Sequence, residues 1–263
     1  MAPANPSALK LRIISALILA PIALAAVWAG GVAITLLVLA AVIGMGWEWA
    51  RLCGRGRLGR TGAAIIATLF AAVGALALGS GAGLTIALAG SLGIAIIAGV
   101  TREADALWAA FGTLWIAAGS LAFLWVALAA GRILTIWLLA VVWASDIGAY
   151  AVGRTVGGPR LAPRISPNKS WAGFIGGLAG PALVGAAAAP LLHGSPGLIA
   201  SLAAALGLAA QLGDLAESLA KRHFGVKDSS GLIPGHGGLL DRLDGLLAAA
   251  LAFMAASLAL PYF

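Results

Sequence analysis

Two short stretches of this chain carry acids at helical spacing inside otherwise apolar sequence. In QLGDLAESLAKR, Asp214, Ser218 and Lys221 recur at i, i+4 and i+7, so a helix would present a carboxylate, a hydroxyl and an amine on one face. In LLDRLDG, Asp241 and Asp244 share a face at i, i+3. The intervening HFGVKDSSGLIPGHGG holds Gly225, Gly231, Gly235, Gly237 and Gly238 with Lys227, Asp228 and His236. Backbone this permissive can turn its amides toward an anion. Acid-bearing helix faces on either side of such a loop can converge on a hard cation. Magnesium fits, because it takes carboxylate, water and phosphate oxygens and keeps only one or two protein carboxylates. The chemistry these residues permit is the handling of a metal-bound polyphosphate. The pattern GxxxxGK[ST] is absent, so this is not an ordinary P-loop.

The chain has nine acids in all. Glu48, Glu103 and Asp105 fall at span ends or in a loop and read as ordinary interfacial charge. The other six, Asp146, Asp214, Glu217, Asp228, Asp241 and Asp244, gather in or beside the ends of three apolar runs. A carboxylate at a membrane-helix centre costs about 2.5–3.5 kcal/mol and less near the interface, so such residues are usually functional. Simple pairing with Arg154, Lys221, Arg222 and Arg242 is the plainer account. It does not by itself require so many acids at one membrane face.

The elements that must position these residues are membrane helices. Of 263 residues, 62% are hydrophobic and 10% charged, against about 25% charged in soluble domains; the mean hydropathy is +1.04. Apolar runs long enough to cross a bilayer recur along the chain, at 13–29, 32–50, 62–80, 84–100, 106–128, 133–153, 171–192, 196–220 and 239–260. The sequence thus predicts an all-α polytopic integral membrane protein of about nine transmembrane helices. The first run begins like a signal peptide, but similar runs follow, so it reads as a retained span. With the N-terminus inside, Arg132 falls outside and the other fifteen of the sixteen Lys and Arg residues, Lys10 and Arg12 among them, fall inside. The positive-inside rule then sets the N-terminus in the cytoplasm and the C-terminus out, with the polar segments 154–170 and 221–238 cytoplasmic. That bias, with basic residues scattered through short loops, accounts for the net charge of +7 without nucleic acid. Cys53 is the single cysteine and excludes an internal disulfide. We expect one membrane domain over 1–263, with scaffold and lipid-side spans in 1–128 and the catalytic spans in 133–260.

The segment SLAKRHFGVKDSSGLIPGHGGLLDRLD, Ser218 to Asp244, resembles the C-terminal motif of the phosphatidate cytidylyltransferases (CDP-diacylglycerol synthases). Matching positions include Ser218, Lys221, Arg222, Lys227, Asp228, Pro234, His236, Gly237, Gly238, Asp241, Arg242 and Asp244. DIGAYAVGR from Asp146 and ISPNKSWAG from Ile165 resemble two further family segments. The chain departs at Ala220, where the family usually has a larger aliphatic residue, and at Ala172, where many members carry a glutamate. The resemblance implies an inner-membrane enzyme of bacterial phospholipid synthesis, its active site facing the cytoplasm. It would join CTP and phosphatidic acid into CDP-diacylglycerol and pyrophosphate, with Mg2+ and room for a second cation. It implies Asp214 and Asp241 as metal ligands, with Asp244 and Ser218 beside them and Asp146 nearby. Lys169, Lys221, Arg222 and Lys227 would hold phosphate, Asp228 would lie by the substrate, and His236 would either bond phosphate or support the loop.

Three competing readings are weaker. DRLDGLLA partly matches the opening of the CDP-alcohol phosphatidyltransferase motif, but Ala249 stands in place of its arginine and no acid follows Asp244. A cation-coupled transporter would carry its acids near the midplane rather than at one end. A scaffold explains neither the acids nor the loop. The pairs Gly173/Gly177 and Gly176/Gly180 could build a homodimer seam, but packing within the chain is the simpler expectation.

Overall fold

The computed structural model describes residues 6–259, and nine helices account for most of them. In a bilayer only intrachain bonding satisfies backbone polar groups, which is why the apolar runs become helices. They are α1 (Pro6–Ala29), α2 (Gly31–Cys53), α3 (Gly59–Ala77), α4 (Gly83–Thr101), α5 (Ala106–Trp125), α6 (Arg132–Thr155), α7 (Trp171–Ala188), α8 (Pro196–His223) and α9 (Leu240–Ala259). Eight are long and apolar enough to cross a membrane, while α1 offers the shorter apolar run Leu17–Ala29. The expected boundaries hold to within a few residues, except that α1 begins well before residue 13 and α7 stops at Ala188. Residue 260, the expected end of the last span, and the side chains of Lys10 and Arg12 lie outside the described residues. Gly131, at φ 91°, breaks the chain between α6 and a π-helical turn at Val126–Ala130, where adjacent apolar runs are hardest to separate by eye.

Contacts run in chain order through α2, α3, α4 and α5, and again through α6, α7, α8 and α9. The two groups meet where α9 packs on α5. The core between them is large and apolar, with Trp49, Ile65, Leu69, Ile116, Leu138, Leu206 and Phe253 fully buried. Leu92, Ile96, Leu183 and many similar side chains point outward, as a lipid-facing surface requires. The glycines of α7 are used inside the chain. A Cβ at Gly176 would lie 2.5 Å from Gly148 O on α6, and one at Gly177 would lie 2.7 Å from Gln211 Nε2 on α8. The buried Ser145 hydroxyl faces two carbonyls, Gly177 O at 2.8 Å and Gly207 O at 3.4 Å, bridging α6 to α7 and α8. The close packing expected within one chain is thus present along this seam.

The segment 154–170 is not a plain loop. Arg160–Ala162 (β1) and Ser166–Ser170 (β2) form a two-stranded antiparallel hairpin leading directly into α7. Ser170 Oγ accepts Gly173 N at 3.1 Å and caps that helix.

Candidate active site

The C-terminal ends of α6 and α8, the N-terminal end of α9 and the hairpin meet at one end of the bundle. The hairpin supplies Lys169, held one residue before the Ser170 cap, with Nζ 2.7 Å from Asp214 Oδ2. The other Asp214 oxygen accepts Ser218 Oγ at 3.3 Å. This pair is the open part of the site, the two side chains being 26% and 40% exposed. Asp146 on α6 and Asp244 on α9 lie close enough to Asp214, and to one another, for their charges to repel. Asp244 is buried; its Oδ1 accepts Gly245 N at 2.8 Å. No basic side chain forms an ion pair with it among the described residues.

Deeper in, Lys221 is enclosed by carboxylates. Its Nζ lies 2.5 Å from Glu217 Oε2 and 2.6 Å from Asp241 Oδ1. Spacing alone puts Lys221 on a face with Asp214, yet its partners are Glu217 one turn back and Asp241 across the helix pair. Asp241 also accepts Ser229 N at 3.1 Å, Ser229 Oγ at 3.2 Å and Gly238 N at 2.8 Å. Both its oxygens are therefore engaged by the α8–α9 loop and Lys221. Asp241 and Asp244 share a helix, but one faces the loop and the other the acids of α6 and α8.

The remaining candidates rim this mouth. Among the described residues Arg222 does not pair with an acid; it donates to Ile165 O at 3.1 Å and Val226 O at 3.0 Å, tying the hairpin and the loop to the end of α8. Lys227 and Asp228 are exposed on the loop. His236 is half-buried in the turn closed by the Ile233–Gly237 bridge, its backbone amide donating to Ile233 O at 3.0 Å.

The three acids that read as interfacial charge have a definite structural task. Each accepts backbone amides at the start of a helix, where four donors otherwise lack partners. Glu103 accepts Arg60 N at 2.7 Å and Thr61 N at 3.3 Å at the start of α3. Asp105 accepts Trp108 N at 3.2 Å at the start of α5 and faces His223 at 3.3 Å. Glu48, fully buried on α2, accepts Leu239 N at 2.8 Å and Leu240 N at 2.7 Å at the start of α9. For Asp105 the sequence carries a signal, a capping residue before an apolar run. Glu48 and Glu103 reach helices remote in sequence, and nothing local announces them.

Among the described residues no three His, Cys, Asp or Glu side chains converge closely enough to enclose an ion by themselves. Of the acids at this end, Asp214 is the half-exposed one, with Asp146 and the buried Asp244 near it, so a magnesium ion held here would have to keep most of its ligands as water or phosphate oxygens.

The fold and the site together define a helical membrane bundle with a cluster of acids, a lysine and a glycine-rich loop at one end. Comparison with known proteins agrees: the profile of the Cytidylyltransferase family matches residues 10–260, and the chain belongs to that family. It is 42% identical over 247 residues to the phosphatidate cytidylyltransferase of Brucella suis, covering 93% of this chain and 91% of that one. It is 41% identical over 265 residues to the protein of the same name from Pseudomonas aeruginosa, covering 94% and 96%. A shorter match, 50% over 122 residues, links it to the Mycobacterium leprae protein of that name, covering 46% of this chain and 38% of that one.

Proposed function

We propose that this membrane protein transfers the cytidylyl group of CTP to phosphatidic acid. A phosphate oxygen of the lipid attacks the α-phosphorus of CTP, the bond from that phosphorus to the bridging oxygen breaks, and pyrophosphate leaves. The product is CDP-diacylglycerol. The observation that carries this reading is the convergence of Lys169, Asp214, Asp146 and Asp244 at one bundle end, in a chain matching same-named relatives over nine-tenths of their length. Such a transfer needs positioning and charge neutralisation, not a covalent enzyme group. A phosphate monoester is already largely ionised at neutral pH, so no strong base is required.

Within this reading Lys169 is the cation best placed for the triphosphate, because its ion-pair partner is the 40%-exposed Asp214; its Nζ is buried in that pair and would turn outward as the pair opens. Arg222 and Lys227 add positive charge at the rim. Lys221 is enclosed, and its role is to hold Glu217 and Asp241 in place; touching phosphate would require one of those pairs to open. A magnesium ion, when bound, would neutralise the α-phosphate and the departing pyrophosphate. Asp214 is the ligand the geometry favours, with Asp244 and Asp146 behind it. Asp241 would first have to release donors from Ser229, Gly238 or Lys221.

The charge distribution supports a cytoplasmic mouth in the bacterial inner membrane, where CTP is available. The described basic side chains other than Arg132 lie toward the site end of the helices, as the positive-inside rule asks. A homodimer has no particular support, since the glycine seam is filled by α6 and α8. The deciding experiment supplies labelled CTP, phosphatidic acid and magnesium to detergent-purified protein. Lipid-linked cytidylate is expected; none, beside an active positive control, sinks the reading.

A further inference from the structure

We propose that Glu48, a carboxylate on α2 outside every motif segment, is a positioning residue for the reaction centre; this rests on the activity proposed above. Its four donors come from two places. Leu239 N and Leu240 N open α9, and Ser229 Oγ and Ser230 Oγ, at 3.2 and 2.5 Å, belong to the α8–α9 loop. Ser229 reaches both ways: its amide donates to Asp241, and its hydroxyl, 3.2 Å from each carboxylate, has a single proton to give to Glu48 or to Asp241. A continuous chain therefore runs from Glu48 through Ser229 to Asp241, Lys221 and Glu217.

Two features make this more than a surface tether. Glu48 stands on a well-packed support, because its neighbour Trp49 is fully buried and donates its indole N–H to Trp108 O at 3.0 Å, joining α2 to α5. The loop has anchors of its own further on, the buried Ile233 and Pro234 O, which accepts Ser15 Oγ at 2.8 Å. A cavity of about 580 Å³ opens beside it, lined by Trp47, Arg51, Ser230 and Leu232 among others. At Ser229 and Ser230 the loop is held by hydrogen bonds to Glu48. No cation pairs with Glu48 among the described residues, so its charge is balanced by donors and the positive end of α9. A glutamine there would turn an NH2 group toward one of those donors. The effect should fall on the placement of Asp241 and the first turn of α9, and so on turnover.

The test measures kcat, KM for CTP, and thermal unfolding for Glu48→Gln, Ser229→Ala and the double variant, all full-length in detergent. Tryptic cleavage after the exposed Lys227 follows loop freedom without reference to activity. We expect kcat per folded molecule to fall about ten- to a hundred-fold in Glu48→Gln, the scale of a lost charge-assisted hydrogen bond, with KM for CTP within about threefold. The double variant should be no slower than the slower single variant, and cleavage should quicken in each. Unchanged kcat per folded molecule, whatever the melting temperature, would overturn the proposal, as would a raised KM with intact kcat or fully additive losses. If Glu48→Gln does not fold, Ser229→Ala removes only the bridge and still decides. A wild type inactive toward CTP and phosphatidic acid would defeat the activity instead, and the cleavage rates would then report on the tether alone: unchanged rates reject it, faster ones retain it.

Discussion

Lys221 Nζ sits within 2.6 Å of Asp241 Oδ1, in a contact where the lysine side chain is 11% exposed and the aspartate 4%. With Glu217 on its other side, one cation serves two buried carboxylates. Replacing Lys221 by Met should strand both and cost about 3–5 kcal/mol, read as a large drop in melting temperature. Helical spacing by itself would let the fold survive this change. Lys169→Ala, at a half-open pair, should cost at most about 1 kcal/mol while still lowering turnover. Equal stability losses in the two variants would contradict the contrast drawn between them.

Asp214→Asn should separate activity from stability. The side chain is 40% exposed, so its pair with Lys169 is worth little to the fold. Loss of its charge should reduce turnover by roughly a hundredfold or more and raise the magnesium concentration needed for half-maximal rate. A magnesium dependence identical to wild type would remove Asp214 from the ligand set.

For Asp244→Asn the expected signs are opposed. Its carboxylate is buried beside Asp214 and Asp146 with no ion-pair partner among the described residues, so neutralising it should raise the melting temperature. Turnover should fall in the same sample. Asp241→Asn should instead lose stability as well as activity, since it anchors Lys221, Ser229 and Gly238. Calorimetry of the two variants side by side checks this difference.

Topology is open to direct labelling. In a Cys53→Ala background, a cysteine at Arg57 and another at Gly81 lie at opposite ends of α3, both exposed. A membrane-impermeant maleimide on intact cells should reach Gly81→Cys and spare Arg57→Cys. The reverse pattern would place the acid cluster outside the cytoplasm.

Most of the architecture is legible in the amino-acid sequence, because hydrophobic runs of fixed length leave a bilayer-spanning backbone few alternatives. The site is legible there only as a set of residue types. Helical spacing finds Asp214, Ser218 and Asp244, yet it cannot tell that Lys221 turns to Asp241 while Lys169 takes Asp214. That choice depends on the hairpin at Arg160–Ser170, whose three- and five-residue strands carry too little periodicity to detect. Glu48 escapes for a similar reason: its partners lie 181 to 192 residues away.

The Ser145 hydroxyl, shared between carbonyls of α7 and α8, lies one residue before Asp146. Three helices are thus riveted together almost level with the acid cluster, and toward the far end α7 and α8 still pack closely at Gly185, where a Cβ would lie 2.5 Å from Ile199 O. Where lipid composition alters bilayer thickness, this unit should tilt as a whole about the basic residues at the site end. The acids would keep a constant depth below the headgroups, so that a lipid phosphate of any chain length arrives at the same height.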